Sequence, residues 1–263
     1  MIKIPGREPK QIPKPDYDLS KTARFLSCLG DFISISGYLS EKERAVERLL
    51  LWSKASQPIT QLCNRIFPWI TVELIEERSY WPQSNIYKVA SWAADTVDWT
   101  ICSLFPQINN GQRKFIGSPI YNQKLADVDI GNSPYWVIQP ASVNGANCRN
   151  WDFKDWRSCF NFLDRRGQRG IILYKGHNFR MRAHDRITDY SNRFDIFESL
   201  ELCKNAVGYL GVDSSLACMF GVINNYRYVP SYVKSVNPQY YLNQLCYGGP
   251  NCKVKGEFWS MLE

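Results

Sequence analysis

The 263-residue chain has neither of the glycine-rich fingerprints that mark the common phosphate-binding loops. No GxGxxG follows an apolar run and no GxxxxGK[ST] occurs. A standard dinucleotide dehydrogenase, a P-loop nucleotidase and a nucleotide-sugar epimerase of the usual type are therefore disfavoured. Imidazole is scarce, with His177 and His184 the two histidines, and none of the nine cysteines forms a CxxC pair. A zinc site is not expected from such a set. The cysteines, at 28, 63, 102, 148, 159, 203, 218, 246 and 252, are odd in number and several sit in apolar runs, the pattern of buried free thiols in a reducing compartment. No apolar run is long enough to span a bilayer. The opening Met1-Ile2-Lys3-Ile4-Pro5-Gly6-Arg7 lacks the apolar core of a secretion signal, so the sequence points to the cytoplasm.

Positive charge is in excess, at +7. Such a balance suits anionic partners, among them nucleotide diphosphates, nucleic acid and acidic glycans, and it also serves solubility. The segment before Asp16 is rich in Lys, Arg and Pro and reads as an extended arm. Hydrophobic residues make up 44% and charged residues 22%, the composition of a folded chain with ample core material.

Apolar runs alternate with helical patterns. Strands are expected at 23–28, 49–52, 70–75 and 99–104, with helices at 32–47, 59–67 and 86–94, and a turn at Leu29-Gly30-Asp31. Residues 106–133 break the rhythm with Pro106, Asn109-Asn110-Gly111, Gly117, Pro119 and Gly131-Asn132. It then restarts, with strands at 135–139, 170–174, 206–210 and 226–229 and helices at 153–165 and 194–204. Strand–helix alternation implies parallel sheets with helices on both faces. The expected fold class is thus α/β, with two Rossmann-like domains facing a central cleft. The expected division is a basic extension at 1–20, an acceptor-side domain at 21–130, a nucleotide-sugar-binding domain at 131–230, and a segment at 231–263 that packs back on the first domain. In open parallel sheets ligands bind beyond the C-terminal strand ends, and the polar loops of this chain fall there.

The segment Gly208-Tyr209-Leu210-Gly211-Val212-Asp213-Ser214-Ser215-Leu216-Ala217-Cys218-Met219 carries the most chemistry. An apolar strand hands over, through an acid and two hydroxyls, to an apolar helix. The first N–H groups of such a helix and its positive dipole end hold phosphate or sugar oxygens. Asp213 or Ser214 would equally serve as the helix cap, and both uses stay open.

Several segments in this order resemble the heptosyltransferase-type glycosyltransferases, the ADP-heptose:lipopolysaccharide family of the two-domain GT-B fold. Leu29-Gly30-Asp31-Phe32-Ile33 resembles the family's Gly-Asp turn after the first strand. Trp136-Val137-Ile138-Gln139-Pro140-Ala141-Ser142, followed by Arg149-Asn150-Trp151 and Trp156, resembles the opening of its donor domain. Gly170-Ile171-Ile172-Leu173-Tyr174-Lys175-Gly176 resembles a strand ending in glycine, and Gly211-Val212-Asp213-Ser214-Ser215 its donor-binding turn. Two departures stand out: Ser215 replaces the usual glycine and Cys218 the usual histidine.

The resemblance implies an inverting glycosyltransferase (hexosyl or pentosyl) with a nucleotide-diphosphate-sugar donor as co-substrate, no cofactor and no metal. It implies Asp31 as the base that takes the acceptor's proton, and Arg149 as a cation on the leaving diphosphate. Asp31 could instead cap a helix starting at Phe32, and Arg149 could be a solvated loop cation. Donor contacts would come from Ser142, Lys175, Gly176, His177, Asp213, Ser214 and Ser215, with residues 189–192 near the nucleotide base. Trp81, Trp92, Trp99 and Tyr121 are possible stacking platforms beside a core role. The acceptor is a glycan or a hydroxylated DNA base, and DNA modification stays among the expectations because of the basic charge. The competing class is a non-catalytic nucleotide-sugar or nucleic-acid binding module on a degenerate transferase scaffold, favoured by Ser215 and Cys218.

Overall fold

A computed structural model describes residues 21–25, 28–30, 32–33, 36, 46–51, 56–74, 97–98, 119–141, 151, 153–176, 184–212, 214–222, 226–229 and 252–254. The chain forms two compact units, one of Met1–Ser27 with Glu43–Thr100, the other of Cys28–Lys42 with Ile101–Glu263.

In the first unit β1 (Thr22–Phe25), β2 (Arg48–Leu51), β3 (Thr71–Leu74) and β4 (Val97–Asp98) form an all-parallel sheet in the order β3-β2-β1-β4. Ala23, Phe25, Leu49, Leu50 and Leu51 are buried, as strands covered on both faces require. Helix α1 (Ser56–Ile66) buries Ile59, Leu62, Cys63 and Ile66, an i, i+3, i+4, i+7 stripe. Its Pro58 lies in the first turn, where an N–H would have no helical acceptor. The strand expected at 99–104 appears two residues earlier, as β4, and residues from Trp99 to the end of that span lie outside the described residues. So does the helix expected at 86–94, with Trp81 and Trp92.

The second unit holds β5 (Tyr135–Gln139), α2 (Phe153–Arg166), β6 (Arg169–Ile172), β7 (Ile187–Asp189), α3 (Ile196–Asn205), β8 (Gly208–Gly211), α4 (Ser215–Val222), β9 (Tyr226–Val229) and β10 (Cys252–Val254). All six strands are parallel, in the order β10-β9-β8-β5-β6-β7. Counted from β5, this is the 3-2-1-4-5-6 order of dinucleotide-binding sheets, whose strand order reverses between β5 and β8. Every residue of β5 is buried, which explains the apolar run from Tyr135 to Ile138. Trp136 meets Phe162 of α2 edge-on, ring centroids 4.8 Å apart. Trp151 meets Trp156 likewise at 5.2 Å, and both belong to the core cluster beneath the sheet.

Helix α3 begins at a full capping box. Asp195 Oδ1 accepts from the Glu198 N–H at 2.9 Å, and the Asp195 N–H donates to Glu198 Oε2 at 2.7 Å. That box moves the start from the expected 194 to 196. Two short strands, β7 and β10, were not expected. Both lie at sheet edges, and Thr188 and Asp189 of β7 are exposed, so β7 carries no buried run. Of residues 231–263 the structure describes Cys252–Val254, and these extend the second sheet.

One local expectation is corrected. Leu29 and Gly30 are already helical, as are Phe32, Ile33 and Ser36. The first helical bond runs from the Phe32 N–H to the Cys28 carbonyl at 3.1 Å. The cap position therefore falls at Cys28, and Leu29 and Gly30, expected in a turn, lie in the helix's first turn. Asp31 itself lies outside the described residues. Val46 and Glu47 lie outside any helix, because Glu47 turns the chain into β2.

Candidate functional site

The strand order of the second sheet reverses where Gln139 ends β5 and Gly211 ends β8, and the two residues are paired in register. The Val212 N–H extends the ladder to the Gln139 carbonyl at 2.9 Å. Gln139 is a polar residue only 8% exposed at the end of an apolar strand, so its side chain needs partners. It has them: the Ser214 hydroxyl donates to Gln139 Oε1 at 2.5 Å, and Tyr209 Oη lies 3.3 Å from the same oxygen. Tyr209 Oη donates to the Val212 carbonyl at 2.6 Å. Glycine is required at 211, where a Cβ would stand 2.5 Å from Tyr209 Cζ and 2.8 Å from the Gln139 carbonyl oxygen. The tyrosine ring occupies that space and braces the loop entering α4.

Ser214 is the cap of α4. Its carbonyl accepts from the Cys218 N–H at 3.0 Å and its Oγ from the Ala217 N–H at 3.4 Å. A serine hydroxyl has one hydrogen, and here it goes to Gln139. Ser214 thus aims the helix, while the donors left at its mouth are the first-turn N–H groups of Ser215 and Leu216, which no α-helix can satisfy internally, and the Ser215 hydroxyl.

The segment around Gly30 approaches this same helix start. A Cβ on Gly30 would stand 3.1 Å from Cys218 Sγ and 3.4 Å from Ser215 Cα. Gly30 therefore lets two helix beginnings meet. The close approach also accounts for Cys218: the thiol is 6% exposed and fills the space beneath Gly30, where an imidazole would not fit without movement.

Two further strand ends lie along the same edge of the sheet. After β6, Lys175 is exposed and Gly176 has φ 142°. After β7, Asn192 bonds the Gly176 backbone twice, accepting from its N–H at 2.9 Å and donating to its carbonyl at 3.1 Å. The loop after β5 is closed at its base, with the Trp151 N–H donating to the Pro140 carbonyl at 2.8 Å.

Of the expected site residues, Lys175, Gly176, Ser214 and Ser215 all fall at C-terminal strand ends of one parallel sheet. Asp31, Ser142, Arg149, His177 and Asp213 lie outside the described residues. Tyr121 is exposed, in a short 3-10 turn (Pro119–Asn122). Gln139 and Tyr209 were given no role in the sequence, and Asn192 was expected near the nucleotide base rather than as a partner of Gly176. Gln139 carried a readable signal, a polar residue closing an otherwise apolar run. Among the described residues, no three His, Cys, Asp or Glu side chains cluster as a metal site, and no helix is long and apolar enough to cross a membrane.

The opposite end of the sheet is built differently. A hollow of about 500 Å³ lies there, between the loop 128–134 and the end of α3, and it contains none of the expected site residues.

No protein-family model matches the chain, and no curated protein does. Solved structures match its fold. The bacterial iron-containing dodecameric glycosyltransferase TibC from enterotoxigenic E. coli H10407 is similar at 14% identity and a TM-score of 0.52, over 78% of this chain and 56% of that one. E. coli heptosyltransferase WaaC with ADP is similar at 11% identity and a TM-score of 0.54, over 89% and 92%. The present chain thus spans little more than half the length of TibC. These likenesses show an α/β fold with parallel sheets, similar to that of the heptosyltransferases.

Proposed function

We propose that the protein is a glycosyltransferase of the GT-B arrangement that takes a sugar from a nucleotide-diphosphate-sugar donor and passes it to an acceptor hydroxyl. The observation that carries this reading is the braced start of α4 at the strand-order reversal, with the Gly30 segment packed against it. Glycosyl transfer needs a dipole or cation for the departing diphosphate and a base for the acceptor. The N–H groups of Ser215 and Leu216 supply the dipole. Lys175 and Arg149 supply positive charge, Arg149 in a fork suited to phosphate oxygens. Asp31, the residue after Gly30, is the base, and displacement is direct, inverts the anomeric carbon and uses no metal. Ser142, His177 and Asp213 complete the donor contacts, with Ser214 as the cap that orients them.

The acceptor is a glycan hydroxyl or a hydroxylated DNA base. The charge of +7 keeps DNA in view, and salt-sensitive duplex binding separates the two. A second reading rests on Cys218: a buried thiol stands where the resembled family has an imidazole, as expected of a scaffold that binds a nucleotide sugar without turning it over.

A thermal-shift screen against UDP-, GDP-, ADP- and CMP-sugars tests the donor site, because a ligand of the native state raises the melting temperature. A shift with one donor, release of its nucleotide in EDTA, and loss of that release in Asp31→Ala support the transferase. A shift without turnover, unchanged in Asp31→Ala, supports the binding module. No shift with any donor removes both.

A further inference from the structure

The loops after β6 and β7 are joined through a single side chain. The Asn192 N–H donates to the Tyr174 carbonyl at 2.7 Å, while its side-chain amide takes both backbone groups of Gly176. Lys175 is thereby bracketed on both sides by one residue. An amide that offers a donor and an acceptor to the N–H and C=O of one residue bonds it as a neighbouring strand would. Asn192 holds φ 61° to do so, a conformation that asparagine tolerates and most side chains do not.

The turn so fixed presents one side chain. Tyr174 is 5% exposed and belongs to the core. Gly176 has none, and φ 142° with Tyr174 Oη only 2.6 Å from an added Cβ permits none. Lys175 is exposed and has no acidic partner among the described residues. A lysine stem is flexible, so its ammonium can be aimed only by fixing the backbone that carries it.

Resting on the donor-site reading, we infer that Asn192 is a positioning residue, whose amide clamp sets Lys175 against the diphosphate of the donor. It acts through Lys175 and touches no ligand itself. Glutamine would overshoot Gly176 by a methylene, and aspartate would keep the acceptor but lose the donor.

The test is a double-mutant cycle on the full chain, with titration calorimetry against ADP, UDP, GDP, CDP and inorganic pyrophosphate. Asn192→Gly keeps the left-handed backbone accessible while deleting the clamp. Lys175→Met is expected to weaken binding of the preferred probe by about tenfold or more. Asn192→Gly is expected to cause most of that loss, and the double variant to bind no worse than Lys175→Met alone. Additive losses, or an unchanged Kd in Asn192→Gly, overturn the positioning role, whatever happens to the melting temperature. If the wild type binds a probe and Lys175→Met binds it equally well, the clamp role fails while the donor site stands. If the wild type binds none of the probes, the donor-site reading fails and takes the clamp role with it.

Discussion

The two ends of the second sheet spend their polar groups differently. At the N-terminal ends of β5 and β8 they stitch a loop to a helix. Glu201 accepts from the Leu125 N–H at 2.8 Å and pairs with Lys204 at 2.8 Å. Lys204 also donates to the Gln123 carbonyl, and Arg169 donates to the Ile130 carbonyl at 2.9 Å. The donors there are consumed in holding the loop at 123–130 against α3 and the start of β6. At the C-terminal ends the network of Gln139, Tyr209 and Ser214 braces a helix start, Asn192 bonds the backbone beside Lys175, and Lys175 itself is exposed. The hollow at the N-terminal end thus adjoins a stitched structure, whereas the donor site proposed above lies at the C-terminal end.

The contrast breaks most visibly at the stitched end. Lys204 and Glu201 side chains are 8% and 13% exposed, so Lys204→Met strands a nearly buried carboxylate. A loss of about 3 kcal/mol is expected in urea unfolding, with the Kd for nucleotide unchanged. Weakened nucleotide binding by the native variant would erase the distinction between the ends.

Next comes Tyr209→Phe, which removes the hydroxyl that satisfies the Val212 carbonyl. About 1–2 kcal/mol of stability should be lost, and, unlike the first variant, nucleotide affinity should fall with it. Ser214→Ala is expected to cost about 1 kcal/mol through loss of the cap. It should lower affinity less than Ser215→Pro, which deletes a first-turn N–H while keeping a residue helices accept at that position. Calorimetry on both variants orders the two effects.

The smallest effect at neutral pH concerns the thiols, which should not distinguish the ends. Burial pushes Cys63 from 9.0 up to about 12 and raises Cys159 and Cys203 as well. A raised thiol pKa stabilises the fold fully below the unfolded value. That contribution is lost as pH rises, for Cys63 between about pH 9 and 12. Unfolding followed across that window should show stability falling with pH, less steeply in Cys63→Ala. In the native protein Cys28, which is exposed, should react with a thiol reagent before these three.

How much of this was legible in the sequence follows from burial. Strand β5 was read to the residue, because five consecutive buried positions leave an apolar run from Tyr135 to Ile138 and prolines bound the strand on both sides. Helices α1 and α2 were read to within a few residues from their apolar faces. Strands β7 and β10 left no such trace, being short and at the edge. The helix expected from 32 starts earlier, at Leu29; that start was missed because glycine next to aspartate reads as a turn, and Gly30 is there for a different reason, the close approach of Ser215 and Cys218. Similarly, Tyr209 reads as one more strand residue, and its bracing role depends on the room that Gly211 leaves two residues later. Asn192 sits in a loop whose partner, Gly176, is sixteen residues away, beyond any local pattern.

The central claim, that a nucleotide sugar sits on the C-terminal edge at the β5–β8 reversal, is tested most directly by amide hydrogen exchange with and without the donor that shifts the melting temperature. The account predicts slowed exchange in residues 211–218 and 174–177, with 128–134 and 202–207 unaffected. Protection confined to the latter two segments would contradict it.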